Sequence, residues 1–291
     1  MNIHWWERFD FDALRQPPPQ ESVDLKFTQS GKGPWLQLFT PSGLTWKTAE
    51  LPIAQLPPSL IGLRVLHLSD LHMRAYWGKG YDQLIQRVAV NPPDLILFTG
   101  DFLHDKVKPR PALPYLKRVL TALPSKYGIY GVIGNHDPDW APPYLAEMGV
   151  TILEHRRATI AIGDAQVEII GLPGVWRTDY DVEFVRDQPP RRDGVPRFVL
   201  SHYPDRFPGA RQFDADAYFA GHTHGGQICL PGSIPLVTHD KMPRPYRSGI
   251  HRIGRTWFIV SKGLGFTGPV VRLFCPAEAM ELTLVRDDRA S

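Results

Sequence analysis

Three apolar runs, each ending in the same kind of polar cluster, constrain this chain more than any other feature. They are "LRVLHLSD" (63–70), "PPDLILFTGD" (92–101) and "YGIYGVIGNHD" (127–137). Between them lie "YDQLIQRVAV", with helical spacing at Leu84, Ile85 and Val88, and "YLKRVLTAL", with Leu116, Val119, Leu120 and Leu123 on one stripe. Short strands that are apolar on both faces and alternate with amphipathic helices predict βαβ units and a buried parallel sheet.

The second half of the chain reads mostly as strands. They are "TILEH", "ATIAIGDAQVEIIG" with a hairpin turn at Gly163 and Asp164, "RFVLSHYP", "DAYFAGHTHGG", "WFIVSKGLG" and "AMELTLV". Alternation followed by strands predicts an α/β fold of two packed sheets with helices outside. Upstream, three prolines in "QPPPQ" (16–20) end the first segment, because proline cannot continue a helix. "SVDLKFTQ" and "WLQLFTPSGLTWKTAEL" follow as strands, with "PSG" as the turn between two of them. The expected organisation is one domain over 1–291, with an N-terminal β extension carrying edge strands over 1–60 and the main core over 61–291.

A chain of 291 residues can bury roughly 75% of its unfolded surface, so its core needs no covalent staples. Cys229 and Cys275 stand at no motif spacing, which fits a reducing compartment and leaves a single disulfide open. No apolar run approaches the roughly 20 residues that span a bilayer. The N-terminus lacks the basic start and apolar stretch of a secretory signal, so a cytoplasmic location is expected. Trp5, Trp6, Phe9 and Phe11 alternate with Glu7, Arg8, Asp10 and Asp12 and form no basic face. Packing against the domain is the favoured role for these aromatics, and peripheral membrane contact the minority one. A net charge of +3 is too small to argue for nucleic acid.

The strand ends carry the chemistry. The first run ends in Asp70 and His72, the second in Gly100 and Asp101, the third in Gly134, Asn135, His136 and Asp137. His202 follows "FVL", and His222 and His224 follow "AYFA". In open α/β sheets, ligands gather beyond the carboxyl ends of strands, so these clusters can meet on one rim. In extended backbone, residues i and i+2 face the same side. That geometry is expected to aim Asp70 with His72, and His222 with His224, at one cavity. The glycines beside them allow close backbone approach. Imidazoles, carboxylates and one amide, without thiolate, suit Mn²⁺, Fe, Zn²⁺, Ni²⁺ or Co²⁺. Taken singly, Asp70, His72 or Asp101 could be a turn or solvated residue, and Asn135 could serve left-handed backbone. Their joint occurrence favours ligands.

D-x-H (Asp70, His72), G-D (Gly100, Asp101), G-N-H-D (134–137), a lone His after a strand (His202) and G-H-x-H (221–224) occur in this order. The chain thereby resembles the calcineurin-like metallophosphoesterase superfamily. "LSHYPD", "GHTHGGQICLPG" and "SKGLGFTG" extend the likeness to bacterial phosphodiesterases of the YkuE and YaeI type. The resemblance implies a two-sheet αββα sandwich and two divalent ions, Mn²⁺ first, with Zn²⁺, Fe²⁺ or Ni²⁺ as alternatives. By the same resemblance, Asp70, His72, Asp101 and His224 would hold one ion. Asp101, Asn135, His202 and His222 would hold the other, with Asp101 bridging and catalytic. His136 would stand beside the leaving group.

The implied activity is a phosphodiesterase that breaks a P–O bond with a metal-activated hydroxide. Its partner would be a small phosphate ester or a lipid-linked nucleotide. A UDP-2,3-diacylglucosamine pyrophosphatase is the main alternative, and a nuclease or a non-catalytic scaffold the weaker ones. Asp137 reads as an orienting residue and His67 as a packed or hydrogen-bonded strand residue. For His104 a loop role is favoured over a supporting one. Lys241, Arg244, Arg247, Arg252 and Arg255 against one Asp in "HDKMPRPYRSGIHRIGR" read as a solvated face, with an anion-binding rim, joined by Arg74 and Lys79, as the minority reading.

Overall fold

A computed structural model of the chain describes residues 28–30, 32–172, 183–184, 186–236 and 244–288. Trp5, Trp6, Phe9, Phe11, the 16–20 proline segment and the side chains of Lys241 and Arg244 lie outside the described residues.

The strands, in chain order, begin with β1 (Thr28–Ser30), β2 (Leu36–Leu38), β3 (Thr45–Ile53), β4 (Arg64–Leu68), β5 (Leu95–Thr99) and β6 (Ile129–Val132). They continue with β7 (Val150–Ile152), β8 (Arg156–Ile162), β9 (Ala165–Gly171), β10 (Arg197–Leu200) and β11 (Ala217–Ala220). The last are β12 (Cys229–Leu230), β13 (Ile234–Pro235), β14 (Gly249–Ile253), β15 (Thr256–Val260), β16 (Val271–Leu273) and β17 (Glu278–Arg286). Three helices, α1 (Lys79–Val90), α2 (Leu113–Leu120) and α3 (Ala141–Glu147), follow β4, β5 and β6.

One sheet runs β1-β3-β17-β4-β5-β6-β7 and the other β14-β15-β11-β10-β9-β8. Strands β4 to β7 pair in parallel, as do β9, β10, β11 and β15. The side-chain period of two explains the layers. On β5, Leu95 and Leu97 enter the core between the sheets, while Ile96 and Phe98 enter the core under the helices. Leu84 and Val88 of α1 and Leu116, Val119 and Leu120 of α2 close that second core. A third cluster, with Val199, Tyr218 and Phe258, covers the outer face of the other sheet. A short helix, α4 (Phe207–Ala210), adds Phe207 and Ala210 to that cluster, so the expected αββα arrangement is present. The hairpin turn at Gly163 joins β8 and β9 in antiparallel register, Ile162 opposite Ala165.

Two details differ from the simplest reading. "PSG" lies between β2 and β3 but makes no hairpin, because β2 pairs with β16 while β3 pairs with β1 and β17. The C-terminal strand β17 returns to the first sheet, inserted parallel to β3 and antiparallel to β4. An ion pair between Arg64 and Glu281 helps to fix this register. Among the described residues, no helix is long and apolar enough to cross a membrane.

Leu97 is fully buried between the sheets. Leu97→Ala should lower stability by about 2–5 kcal/mol through lost burial and a residual cavity. Val90→Ala, at a position 80% exposed, should change it by less than about 0.5 kcal/mol. Denaturant midpoints of the two variants check the contrast.

Candidate metal centre

Every site segment leaves the carboxyl end of a parallel strand. Ser69 to His72 follow β4, Gly100 and Asp101 follow β5, and Gly134 to Asp137 follow β6. Ser201 and His202 follow β10, and Gly221 to His224 follow β11. The loops are stitched across the sheets by main-chain bonds. Asp70 N donates to Gly100 O (2.9 Å), His72 N to Asp101 O (2.8 Å) and Gly221 N to His202 O (3.1 Å).

The backbone that aims these side chains is not extended, as the i, i+2 argument expected. Asp70 (φ 51°), His72 (φ 39°), Asp101 (φ 54°), His222 (φ 68°) and His224 (φ 50°) all adopt left-handed conformations. Such residues cost about 1–3 kcal/mol each and gather where a site over-determines them. The pairs do face one cavity, through successive tight turns rather than a strand. Thr223 turns away between its two histidines and donates to Arg247 O (2.6 Å). A Cβ at Gly221 would collide with Ser69 Oγ and Asp70 Oδ2, and one at Gly134 with Asp101 Oδ1.

The donor atoms converge in two groups around one carboxylate. His72 Nε2 lies 3.0 Å from His224 Nε2, and His224 Nε2 lies 3.4 Å from Asp70 Oδ1. On the other side, His202 Nε2 lies 3.0 Å from Asn135 Oδ1 and 3.2 Å from His222 Nδ1. Asp101 Oδ2 stands between the groups, 3.2 Å from His72 Nε2 and 3.3 Å from His202 Nε2. Asp101 Oδ1 accepts from His136 N (2.8 Å). His202 donates Nδ1–H to Thr99 O (2.7 Å), so its Nε2 lone pair faces two oxygens and another ring nitrogen. Acceptors facing acceptors in a buried site need a proton or a metal ion between them, and this donor set fits a divalent metal. The clusters Asp70–His72–His224 and Asp70–Asp101–His202 could each hold an ion.

The electrostatics point the same way. Burial pushes Asp101 up, but His202 and His72 outweigh it and hold the carboxyl well below its usual range. Burial, with help from the neighbouring imidazoles, holds His222 down to about 3. His224 is likewise pushed well down, chiefly by burial.

The sequence-expected residues Asp70, His72, Asp101, Asn135, His202, His222 and His224 are therefore brought together, and His136 stands beside them, its ring 4.7 Å from that of His72. Asp137 accepts from Leu103 N and Gly134 N, both at 2.9 Å, and so braces the loop. His67 contacts Thr99 Oγ1 (2.9 Å), Thr99 donates to Ser69 Oγ (2.7 Å), and Ser69 donates to Asp70 Oδ2 (2.6 Å).

The less favoured supporting role for His104 is the one the structure shows, and Arg272 was not anticipated. His104 is placed beside the centre, its Nδ1 3.3 Å from His72 Nδ1 and its carbonyl accepting from His136 Nδ1 (2.8 Å). Arg272 is fully buried and lies with Nη2 3.1 Å from His224 Nδ1. It also donates to the carbonyls of Gly265, Lys262 and Cys275. An arginine inside the apolar run "VVRLF" was the available signal. Cys229 and Cys275 are both free and buried, with their thiols against the carbonyls of the His224–Gly225 turn.

Two packed sheets with helices outside, and carboxylates and imidazoles gathered at the strand ends, define a metallophosphoesterase fold. The chain belongs to the calcineurin-like phosphoesterase family, whose sequence model matches residues 63–226. It is 31% identical over 227 residues to the uncharacterized metallophosphoesterase YkoQ of Bacillus subtilis, covering 74% of this chain and 81% of that one. It is 29% identical to YkuE, another uncharacterized metallophosphoesterase of Bacillus subtilis, covering 79% and 81%. It is 28% identical to the phosphodiesterase YaeI of Escherichia coli, covering 76% and 82%.

Proposed function

We propose that this chain is a phosphodiesterase that works through two divalent ions. The observation that carries the reading is Asp101 Oδ2 standing 3.2 and 3.3 Å from the Nε2 atoms of His72 and His202. One carboxylate oxygen is thereby shared between two donor groups. Asp70, His72, Asp101 and His224 would hold one ion, and Asp101, Asn135, His202 and His222 the other. When bound, the ions supply Lewis-acid charge to the phosphoryl oxygens and a nucleophile at neutral pH.

His136 acts on the leaving group. Its Nδ1 is committed to His104 O (2.8 Å) and its ring stacks on His104 at 5.5 Å. That fixes the imidazole and leaves Nε2 to hand a proton to the departing oxygen. Arg74 has Nε and Nη2 buried without a partner. Burial first, then the charge of Arg74, holds His104 down to about 4. A neutral His104 beside a cationic Arg74 is suited to receive a phosphate oxygen. The relay from His67 through Thr99 and Ser69 fixes the orientation of Asp70.

The test is turnover by metal-stripped protein after adding back Mn²⁺, Zn²⁺, Fe²⁺ or Ni²⁺, with a diester, a monoester and a nucleotide-linked diphospholipid compared. Diester hydrolysis that appears only with metal is the expected result. Preference for the diphospholipid would instead support a pyrophosphatase, and no metal-dependent turnover would overturn the reading.

Binding should also release a proton. Burial lowers His202, but Asp101, its hydrogen bond and the charge of Asp70 outweigh this and raise the metal-free imidazole to about 9. A cation that takes the Nε2 lone pair displaces that proton. Apparent metal affinity should therefore rise with pH and level off near the metal-free value of about 9. Calorimetry in buffers of different ionisation enthalpy measures the released proton, and His202→Gln should reduce the release.

A further inference from the structure

The ribbon formed by β2 and β16 is polar inside and apolar outside. In its register, Gln37 faces Arg272, Leu36 faces Leu273 and Leu38 faces Val271. Gln37 and Arg272 point inward and are buried at 1% and 0% exposure. Gln37 is satisfied there by Gly43 O (2.6 Å) and Ala277 N (3.0 Å). Leu36 and Leu38 point outward at 38% and 52% exposure. Trp35, stacked on Phe274 at 5.4 Å, and Phe39 flank them at 60% and 62% exposure.

The β12–β13 hairpin continues the same surface. It joins the ribbon through the Ile228–Leu273 bridge and the bond from Ser233 Oγ to Phe274 O (3.3 Å). Leu230, Ile234 and Leu236 are exposed on it. Among the described residues, seven of the twelve exposed large apolar side chains lie on this one ribbon and hairpin. Scattered exposed leucines need no explanation, whereas a contiguous patch marks an interaction surface.

Charge identifies the occupant. Residues 32–44, 225–236 and 261–277 build the surface and contain no Asp or Glu, in a chain with 30 acidic residues. They do contain the exposed Lys32 and the half-buried Lys262, whose Nζ donates to Ser233 Oγ of the hairpin (3.2 Å). Exposed Trp, Phe and Leu on an acid-free face that carries Lys32 and Lys262 match the interface of an anionic bilayer, where aromatic rings sit at headgroup depth and basic groups meet lipid charge.

We propose that the outward face of the β2–β16 ribbon and the β12–β13 hairpin docks this protein on an anionic lipid bilayer. The inward face of the same ribbon carries Arg272 to His224, at 3.1 Å. Docking therefore brings the strand ends, and the loops on them, close to the lipid surface. The proposal concerns where the chain sits and stands whether or not the phosphodiesterase reading holds.

Cosedimentation of the full chain with phosphatidylcholine–phosphatidylglycerol vesicles tests it, with phosphatidylcholine vesicles as the comparison. Binding to the anionic vesicles that weakens with salt is expected. Two variants probe separate strands: Leu38→Asn with Phe39→Asn, and Leu230→Asn with Leu236→Asn. Asparagine suits the left-handed backbone of Phe39, at φ 63°. Each variant should lose about tenfold or more in vesicle partition, with an unchanged melting temperature and unchanged turnover of a soluble ester. No binding by the unaltered chain, or full binding by both folded variants, would overturn the proposal. So would a dimer in light scattering that dissociates in the variants while vesicles are ignored, which would assign the face to a second copy of this chain.

Discussion

Asp101→Ala should remove both ions and lower diester turnover by about 10³-fold or more, since metals supply several kcal/mol of charge stabilisation and each tenfold costs about 1.4 kcal/mol. The size of the effect follows from position. Asp101 Oδ2 touches both donor groups, while Asp101 Oδ1 anchors the backbone of His136 at 2.8 Å. Without the carboxylate, His72, His202 and their neighbours present only neutral nitrogens and one amide oxygen beside Asp70. The left-handed turns that aim them would then hold strain with nothing to offset it. Metal content by mass spectrometry, read beside turnover, checks the claim. A folded variant that still holds two ions would contradict it, and the shared-carboxylate assignment would fail.

His136→Ala should act differently. Turnover should fall by about 10²–10⁴-fold, the usual worth of a positioned general acid, with both ions retained. His136 contributes its main-chain N–H to Asp101, and alanine keeps that bond. Its ring is held from behind by His104 O and stands against the ring of His72, so what disappears is the group facing the leaving oxygen. An ester with a good leaving group needs less proton donation and should lose less rate than one with a poor leaving group. Equal losses on both esters, or loss of metal from the folded variant, would count against the assignment.

Much of the architecture was legible because burial dictates it. Leu95 to Phe98 could only suit a strand covered on both faces, and Leu84 and Val88, or Leu116 and Leu120, only a helix covered on one. Partnering of distant strands was less accessible. Nothing local to "PSG" tells β2 to pair with residues 271–273, or tells residues 278–286 to enter the first sheet between β3 and β4. Those choices rest on contacts hundreds of residues apart, such as Arg64 with Glu281.

The site divides in the same way. Residues that end apolar runs, from Asp70 to His224, announced themselves by position and type. The reason given for their alignment was wrong, because extended backbone was assumed where five left-handed residues do the aiming. Supporting groups were harder to see. Ser69 and Thr99 look like ordinary strand-end hydroxyls until the fold stacks them beside His67 and Asp70. His104 gains meaning only when its carbonyl meets His136, and Arg272 only when its strand delivers it to His224.

The most direct measurement titrates the metal-stripped chain with Mn²⁺ and follows bound ions and hydrolysis of a chromogenic phosphodiester on the same samples. Binding that saturates at two ions per chain, with hydrolysis appearing as the second site fills, is the expected result. Saturation at a single ion with full activity, or two bound ions and no hydrolysis of any phosphate ester, would contradict a phosphodiesterase built around Asp101.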